Sequence, residues 1–313
     1  MKYSTLLSSG LGIILSLTLI GCTTSNVSPV PETPKAVDNK INTNSPQPQE
    51  SAKRIIALTS LSADIIYQLD KSKLVGITGS RLLNQNPNFQ DIPRVSQERT
   101  PPNLEKILAL KPDLVIGAEG FSNQVTDRLK ELGIKTLLTK VNSWESLEAL
   151  TKNLAQLTGT DPQPLLNRYQ GFLKTNSTCT TENCKVPTLV IVSRQPILSP
   201  NKSSWAGNLL ERFPIKNIAA DLQGKSPVSG YVTLSPEKIL AANPEVLIIV
   251  SNPQAGSPQE VLDGFKKEPF WNKLKAAQNN RIYMFDYYGL VNAGSIDSIE
   301  KATTELRKVL SVN

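Results

Sequence analysis

Glu105-Lys106-Ile107-Leu108-Ala109-Leu110-Lys111-Pro112-Asp113-Leu114-Val115-Ile116 returns 132 residues later as Glu237-Lys238-Ile239-Leu240-Ala241-Ala242-Asn243-Pro244-Glu245-Val246-Leu247-Ile248. At least half of the positions are identical. Each copy reads as a helix closed by a proline, followed at once by an apolar run suited to a buried strand. A glutamate opens the helix in both copies. Self-similarity of this kind marks repeated structure, so the chain is expected to fold as two related lobes.

Strand signals spread outward from each copy. Arg54–Thr59, Leu74–Thr78, Asp113–Gly117 and Lys135–Leu138 are short apolar runs separated by helical patterns. A second series comprises Thr188–Val192, Glu245–Val250 and Arg281–Phe285. Near-continuous apolar strands alternating with amphipathic helices argue for α/β lobes, each a mostly parallel sheet flanked by helices. Between the series, Leu165, Leu166, Tyr169, Phe172 and Leu173 recur at helical spacing after Asp161-Pro162. The reading is a single long helix over 161–178 joining an N-terminal lobe (53–160) to a C-terminal lobe (179–313).

Composition narrows the chemistry. The 313 residues include no histidine and three cysteines, with 39% hydrophobic and 19% charged residues and a formal charge of +7. Such values fit a soluble globular protein. Without histidine there is no Ser-His-Asp or Cys-His catalysis and no H-E-x-x-H zinc site. No G-x-S-x-G elbow, P-loop or G-x-G-x-x-G is present, so the expectation is a protein that is not an enzyme and has no resident metal or cofactor. Lysines and arginines are scattered with no run of five, which favours attraction for small anions over nucleic acid.

The first fifty residues say where the chain works. Lys2 and the apolar stretch Leu11–Ile20 read as a signal segment over 1–21, too short for a comfortable membrane span. It ends in Leu19-Ile20-Gly21-Cys22, which resembles the bacterial lipobox, in which the cysteine receives lipid. Residues 22–52 then lose all apolar periodicity, and Pro29, Pro31, Pro34, Pro46 and Pro48 alternate with Ser, Thr, Asn and Gln. This is the composition of a tether, and about thirty flexible residues span roughly 30 Å. Export and lipid anchoring to a bacterial membrane are expected, in the periplasm or on the outer face of the cytoplasmic membrane. Cys179 and Cys184 then read as a short-loop disulfide in an oxidising compartment, with a two-thiol metal clip as the alternative.

Further motifs bring a resemblance. Arg54–Leu58 leading to Ser62-Ala63-Asp64, Leu74–Thr78, Asn103–Ile116, Ser235-Pro236-Glu237 and Arg281-Ile282-Tyr283 together resemble the binding proteins for ferric siderophores, haem and vitamin B12. The likeness covers roughly residues 53–313. It implies two lobes joined by a rigid helix, a ligand cleft between them, and delivery of ligand to an ABC importer, whose permease dimer works with its ATPase. The receptor is expected to act as a monomer. The resemblance also implies that one acidic residue on each lobe docks on the importer, and Glu105 and Glu237 match those positions. Taken singly, each reads as a carboxylate favoured near a helix N-terminus by the macrodipole, and it is their equivalence in the repeat that favours docking.

Ligand residues are sought in the strand-to-helix loops, where α/β sheets present their sites. The candidates are Arg81, Arg99 and Phe121 in the first lobe and Arg194, Trp205, Tyr231, Tyr287 and Tyr288 in the second. The arginines suit an anionic chelate and the aromatic rings its organic faces. Core packing competes for Trp205, and plain surface charge for each arginine. The loop Asp286–Ser295 lacks the arginine that many siderophore binders carry there, which leaves the chelate type open. An iron(III) chelate is the expected ligand. Vitamin B12 and haem are the alternatives; without histidine, haem iron is left with tyrosinate or methionine, and Met284 lies on an expected strand, which argues against a methionine ligand. An extracytoplasmic hydrolase and a purely organising envelope lipoprotein are the readings from other classes.

Overall fold

The computed structural model describes residues 51–98, 100–174, 184–224, 226–252 and 256–311. Cys22, Arg99 and Cys179 lie outside the described residues, as do residues 1–50, where the signal segment and most of the tether are expected. Cys184 is exposed and disulfide-bonded. Among the described residues no helix is long and apolar enough to cross a membrane.

The first lobe runs β1 (Ile55–Ala57), α1 (Ser60–Asp70), β2 (Leu74–Ile77), α2 (Arg81–Gln85), α3 (Leu104–Ala109), β3 (Leu114–Ala118), α4 (Asn123–Glu131) and β4 (Lys135–Thr139). Its strands are all parallel, in the order β2-β1-β3-β4. Two helices follow, α5 (Trp144–Thr158) and α6 (Gln163–Phe172). The second lobe then comprises β5 (Val186–Ile191), β6 (Ser193–Arg194), β7 (Ile197–Pro200), α7 (Trp205–Leu210), β8 (Ile215–Asn217), β9 (Tyr231–Thr233), α8 (Pro236–Ala242) and β10 (Val246–Ser251). It closes with α9 (Pro258–Lys266), α10 (Lys275–Gln278), β11 (Ile282–Asp286), the broken turn α11 (Tyr287–Leu290) and α12 (Ile296–Ser311).

The second parallel sheet, followed from β8, reads β8-β5-β10-β11. That is the same second-first-third-fourth order as in the first lobe. The sequence repeat falls on the third strand of each sheet and the helix feeding it. Its backbone repeats as well. Asn103 and Ser235 cap α3 and α8 by accepting the N–H of Lys106 and Lys238. Both helices are followed by a left-handed residue, Lys111 at φ 45° and Asn243 at φ 39°. Asparagine tolerates that conformation; beside Lys111, the Arg54 guanidinium secures the turn by donating to the carbonyls of Leu110 at 2.7 Å and Lys111 at 3.0 Å.

Alternation along the strands explains why they read as continuous apolar runs. Ile55, Ala57, Leu114 and Ile116 face one core, while Ile56 and Val115 face another with Ile107 and Leu129. In the second sheet Val190, Val246 and Ile248 join the same core as Ile55, whereas Leu189, Ile191, Leu247 and Ile249 face a third with Phe265 and Phe270. Successive side chains of a strand point to opposite faces, so both sheets are covered on two sides and share the middle layer.

The junction departs from the single helix expected over 161–178. The chain leaves α5 through Gly159, whose φ of 68° supplies the left-handed turn, and α6 begins afresh at Gln163. The connection is therefore a helical hairpin. It is α5 that runs from lobe to lobe, about 22 Å at 1.5 Å per residue. At its start the Trp144 N–H donates to Asn208 Oδ1 at 2.8 Å, and Glu145 pairs with Arg212. At its end Leu157 accepts the Ala52 N–H at 2.7 Å, and the Lys73 ammonium donates to the Thr158 carbonyl. The small antiparallel sheet β6-β7-β9 and the short strand β8 were also unforeseen. Proline at 196 and 200 obscures β7 as a strand signal, since proline within an apolar run argues against a strand.

Candidate functional site

The carboxyl ends of both sheets turn toward the space between the lobes. In the first lobe, the hydroxyls of Ser60 and Ser80, from the loops after β1 and β2, meet at 2.7 Å. Ser80 also caps α2 by accepting the Leu83 N–H. This fixes the turn that presents Arg81. In the second lobe Asp286 accepts the Tyr288 N–H at 3.2 Å, and its other oxygen lies 3.6 Å from the Lys301 ammonium. Tyr287 and Tyr288 set their rings edge to face at 5.4 Å.

A cavity of about 430 Å³ brings Arg81, Asp286, Tyr288 and Lys301 together. Arg81 reaches it from the first lobe, and Ser251, Met284, Asp286, Tyr288 and Lys301 line it from the second. Arg81 is exposed and, among the described residues, has no hydrogen-bond or ion-pair partner. Burial raises the Tyr288 hydroxyl above its ordinary pKa, with Tyr287 and Glu98 adding to the rise and Arg81 opposing it. Tyr231 is half-buried, and its hydroxyl is pushed up by burial first and by nearby Tyr287 second. Both phenols therefore stay protonated at neutral pH and are donors, suited to ligand oxygens.

The other expected residues fall differently. Arg194 lines a separate cavity of about 310 Å³ with Gln195, Asn252, Glu260 and Gly264. Its guanidinium donates to Glu268 at 3.2 Å, so its charge is already matched. Phe121 stands 93% exposed on the turn after β3 and does not line the shared cavity. Trp205 is corrected to a core residue. It is 4% exposed, stacks on Trp144 at 6.1 Å, and donates its indole N–H to the Gly289 carbonyl at 2.8 Å. No ring face is left for a ligand. Lys301 was not foreseen at this cavity because it comes from the body of a helix, where no loop signal marks it; Met284, disfavoured as a ligand because it lies on a strand, is also among the lining residues.

Glu105 and Glu237 are each the second residue of their helix and are exposed. A helix feeding a parallel strand runs antiparallel to it, so α3 and α8 begin at the cleft end of their lobes. The two carboxylates thus stand on the rim, one per lobe. Glu237 is held below the usual carboxylate range, chiefly by the Ser235 hydroxyl.

Residues 55–288 match the family model described as periplasmic binding protein. The chain is 24% identical over 275 residues to the high-affinity heme uptake system protein IsdE of Staphylococcus aureus, covering 82% of this chain and 88% of that one. A possible iron-binding, periplasmic solute-binding protein of Staphylococcus epidermidis superposes with a TM-score of 0.69 at 22% identity, over 84% of this chain and all of that one. SirA of Staphylococcus aureus, complexed with staphyloferrin B, superposes with a TM-score of 0.66 at 24% identity, over 85% of this chain and 95% of that one. With two like-wound lobes, a cavity lined from both, and a family match that runs from the first strand to the tyrosine pair, the chain belongs to the periplasmic binding proteins, which are solute receptors and not enzymes.

Proposed function

We propose that the protein is the lipid-anchored solute receptor of an ABC importer and takes up an anionic iron(III) chelate between its lobes. The observation that carries this reading is Arg81, a guanidinium without a hydrogen-bond or ion-pair partner among the described residues, at a cavity shared by both lobes and lined by the Tyr288 phenol. A guanidinium offers paired N–H donors to carboxylate, catecholate or hydroxamate oxygens, and protonated tyrosines extend the same donor set. The heme uptake protein and the staphyloferrin B complex among its relatives support iron-bearing cargo. In this reading Cys22 carries the lipid, residues 22–52 let the monomeric receptor stand off the membrane, and Glu105 and Glu237 dock on the permease. Haem is the second reading, supported by the heme uptake protein among the relatives, with Met284 among the residues around the cavity.

Titration of the purified protein with ferric hydroxamate, ferric catecholate, ferric citrate, cobalamin and haem, followed by intrinsic fluorescence and visible spectra, tests the proposal. A saturable ferric-chelate complex with a broad charge-transfer band is expected. Saturation by haem alone, with a Soret band, moves the assignment to haem. Binding of none of the five overturns it.

A further inference from the structure

The Asp64 carboxylate lies in α1 of the first lobe and is 4% exposed. Its Oδ2 accepts the N–H of Ile296, the first residue of α12 in the second lobe, at 2.6 Å and across 232 positions of sequence. Ile296 is itself fully buried. The opening N–H groups of a helix have no partner within it, and a carboxylate is the acceptor best suited to them by charge.

Each end of this bond leads directly to a wall of the cleft. On one side, Asp64 stands one turn into the helix that begins at Ser60, whose hydroxyl holds Ser80 and so the turn bearing Arg81. On the other, α12 is locked to the loop before it. Ser298 donates its hydroxyl to the carbonyls of Ala293 and Ser295 at 3.0 and 2.8 Å. Gly289, at φ 92°, lies so close to the Ser298 carbonyl that a Cβ there would come within 2.0 Å of its oxygen. The loop is closed on itself by the Gly289 N–H donating to Asn292 and the Val291 N–H donating to Tyr287. Tyr288 therefore moves with the first turn of α12.

We propose that Asp64 is a positioning residue that sets the width of the ligand cleft, holding the first turn of α12 and the Tyr287–Ser295 wall against the first lobe. It touches no ligand. Its effect reaches the cavity through Ser60 and Ser80 on one side and Ser298 and Gly289 on the other. Describing that cavity as the ligand cleft rests on the function proposed above, whereas the mechanical claim is independent of any ligand.

Hydrogen exchange of the full-length protein, read by mass spectrometry without ligand, tests the claim in three variants. Asp64→Asn keeps a carbonyl acceptor in the same place and is expected to exchange like the parent. Asp64→Ala, and Asp64→Leu as a variant that fills the volume, remove the acceptor. Both are expected to speed exchange of peptides covering 287–299 about tenfold or more, while peptides covering β1, β3, β5 and β10 keep parental rates. The same two variants are expected to show a larger radius of gyration by small-angle scattering. Unchanged exchange over 287–299 in Asp64→Leu overturns the proposal. So does equal acceleration of the sheet peptides, which marks general destabilisation. Failure to bind any iron chelate would refute the proposed cargo and leave this result standing.

Discussion

The indoles of Trp144 and Trp205 stack at 6.1 Å with 15° between their planes, and through them the start of α5 is seated on α7 of the second lobe. Tyr169 of α6 closes on the edge of Trp144 at 6.1 Å. Replacing a buried tryptophan by alanine typically costs about 3–5 kcal/mol. Trp144→Ala is expected to lose stability in that range, and denaturant unfolding of parent and variant measures it. A loss below about 1 kcal/mol would mean that the stack is not what seats the helix.

Arg81 and Arg194 are expected to separate in binding. Among the described residues Arg81 has no hydrogen-bond or ion-pair partner at the shared cavity, whereas Arg194 already answers Glu268 elsewhere. Arg81→Ala is expected to weaken a ferric chelate about tenfold, or ~1.4 kcal/mol, with Arg194→Ala changing affinity less than threefold. Arg81 is exposed, so part of its effect should appear in the association rate and fade with salt. Stopped-flow titration at two ionic strengths measures both, and equal effects from the two arginines would refute the distinction.

Glu105→Ala combined with Glu237→Ala is expected to leave ligand affinity unchanged and to lower uptake by cells carrying the importer. Both carboxylates are exposed on helix starts at the cleft rim, where each contributes only about 0.3–1 kcal/mol to its helix. Uptake at the parental rate would reduce the pair to helix-start charges.

Stability should respond to pH through Asp64. Burial pushes its carboxyl above the ordinary 3.8, and Asp297 adds to the rise, while the Ile296 N–H, Gln68 and Arg168 oppose it. The folded state thus holds the proton more tightly than the unfolded state. The stabilising proton is present in full below the unfolded value and is lost as pH rises through the folded one. As pH rises above the ordinary carboxylate value, the parent is expected to lose stability relative to Asp64→Asn, which has no proton to lose. Urea midpoints at several pH values measure the difference, and a difference that grows in the parent's favour with pH would contradict the assignment.

Much of this architecture was legible in the chain itself, because a strand buried on both faces writes an unbroken apolar run and a repeated helix–strand unit writes itself twice. Leu114–Ala118 and Val246–Ser251 are such strands, and both were expected to within one residue of where they lie. The helical hairpin was not, because Gly159 and Pro162 stop one helix and start another without saying which of the two crosses between lobes. The cleft was legible only where loops supply it. Of the residues at the cavity, Arg81 and Tyr288 come from segments that follow strands, whereas Lys301 reaches it because α12 packs along β11. Trp205 was ambiguous by nature, since an indole serves a core or a ligand equally well until its N–H finds Gly289.

One apolar layer takes Ile55 and Ile116 from the first sheet, Val190 and Ile248 from the second, and Leu147, Leu165 and Ile299 from the helices between. Neither half of the chain can keep that layer dry without the other. Severing the protein at the hairpin should therefore yield two fragments that fail to fold separately, not two small receptors. The whole should melt in a single step, so that a cargo gripped by only a few side chains at one edge raises the melting temperature of every strand together.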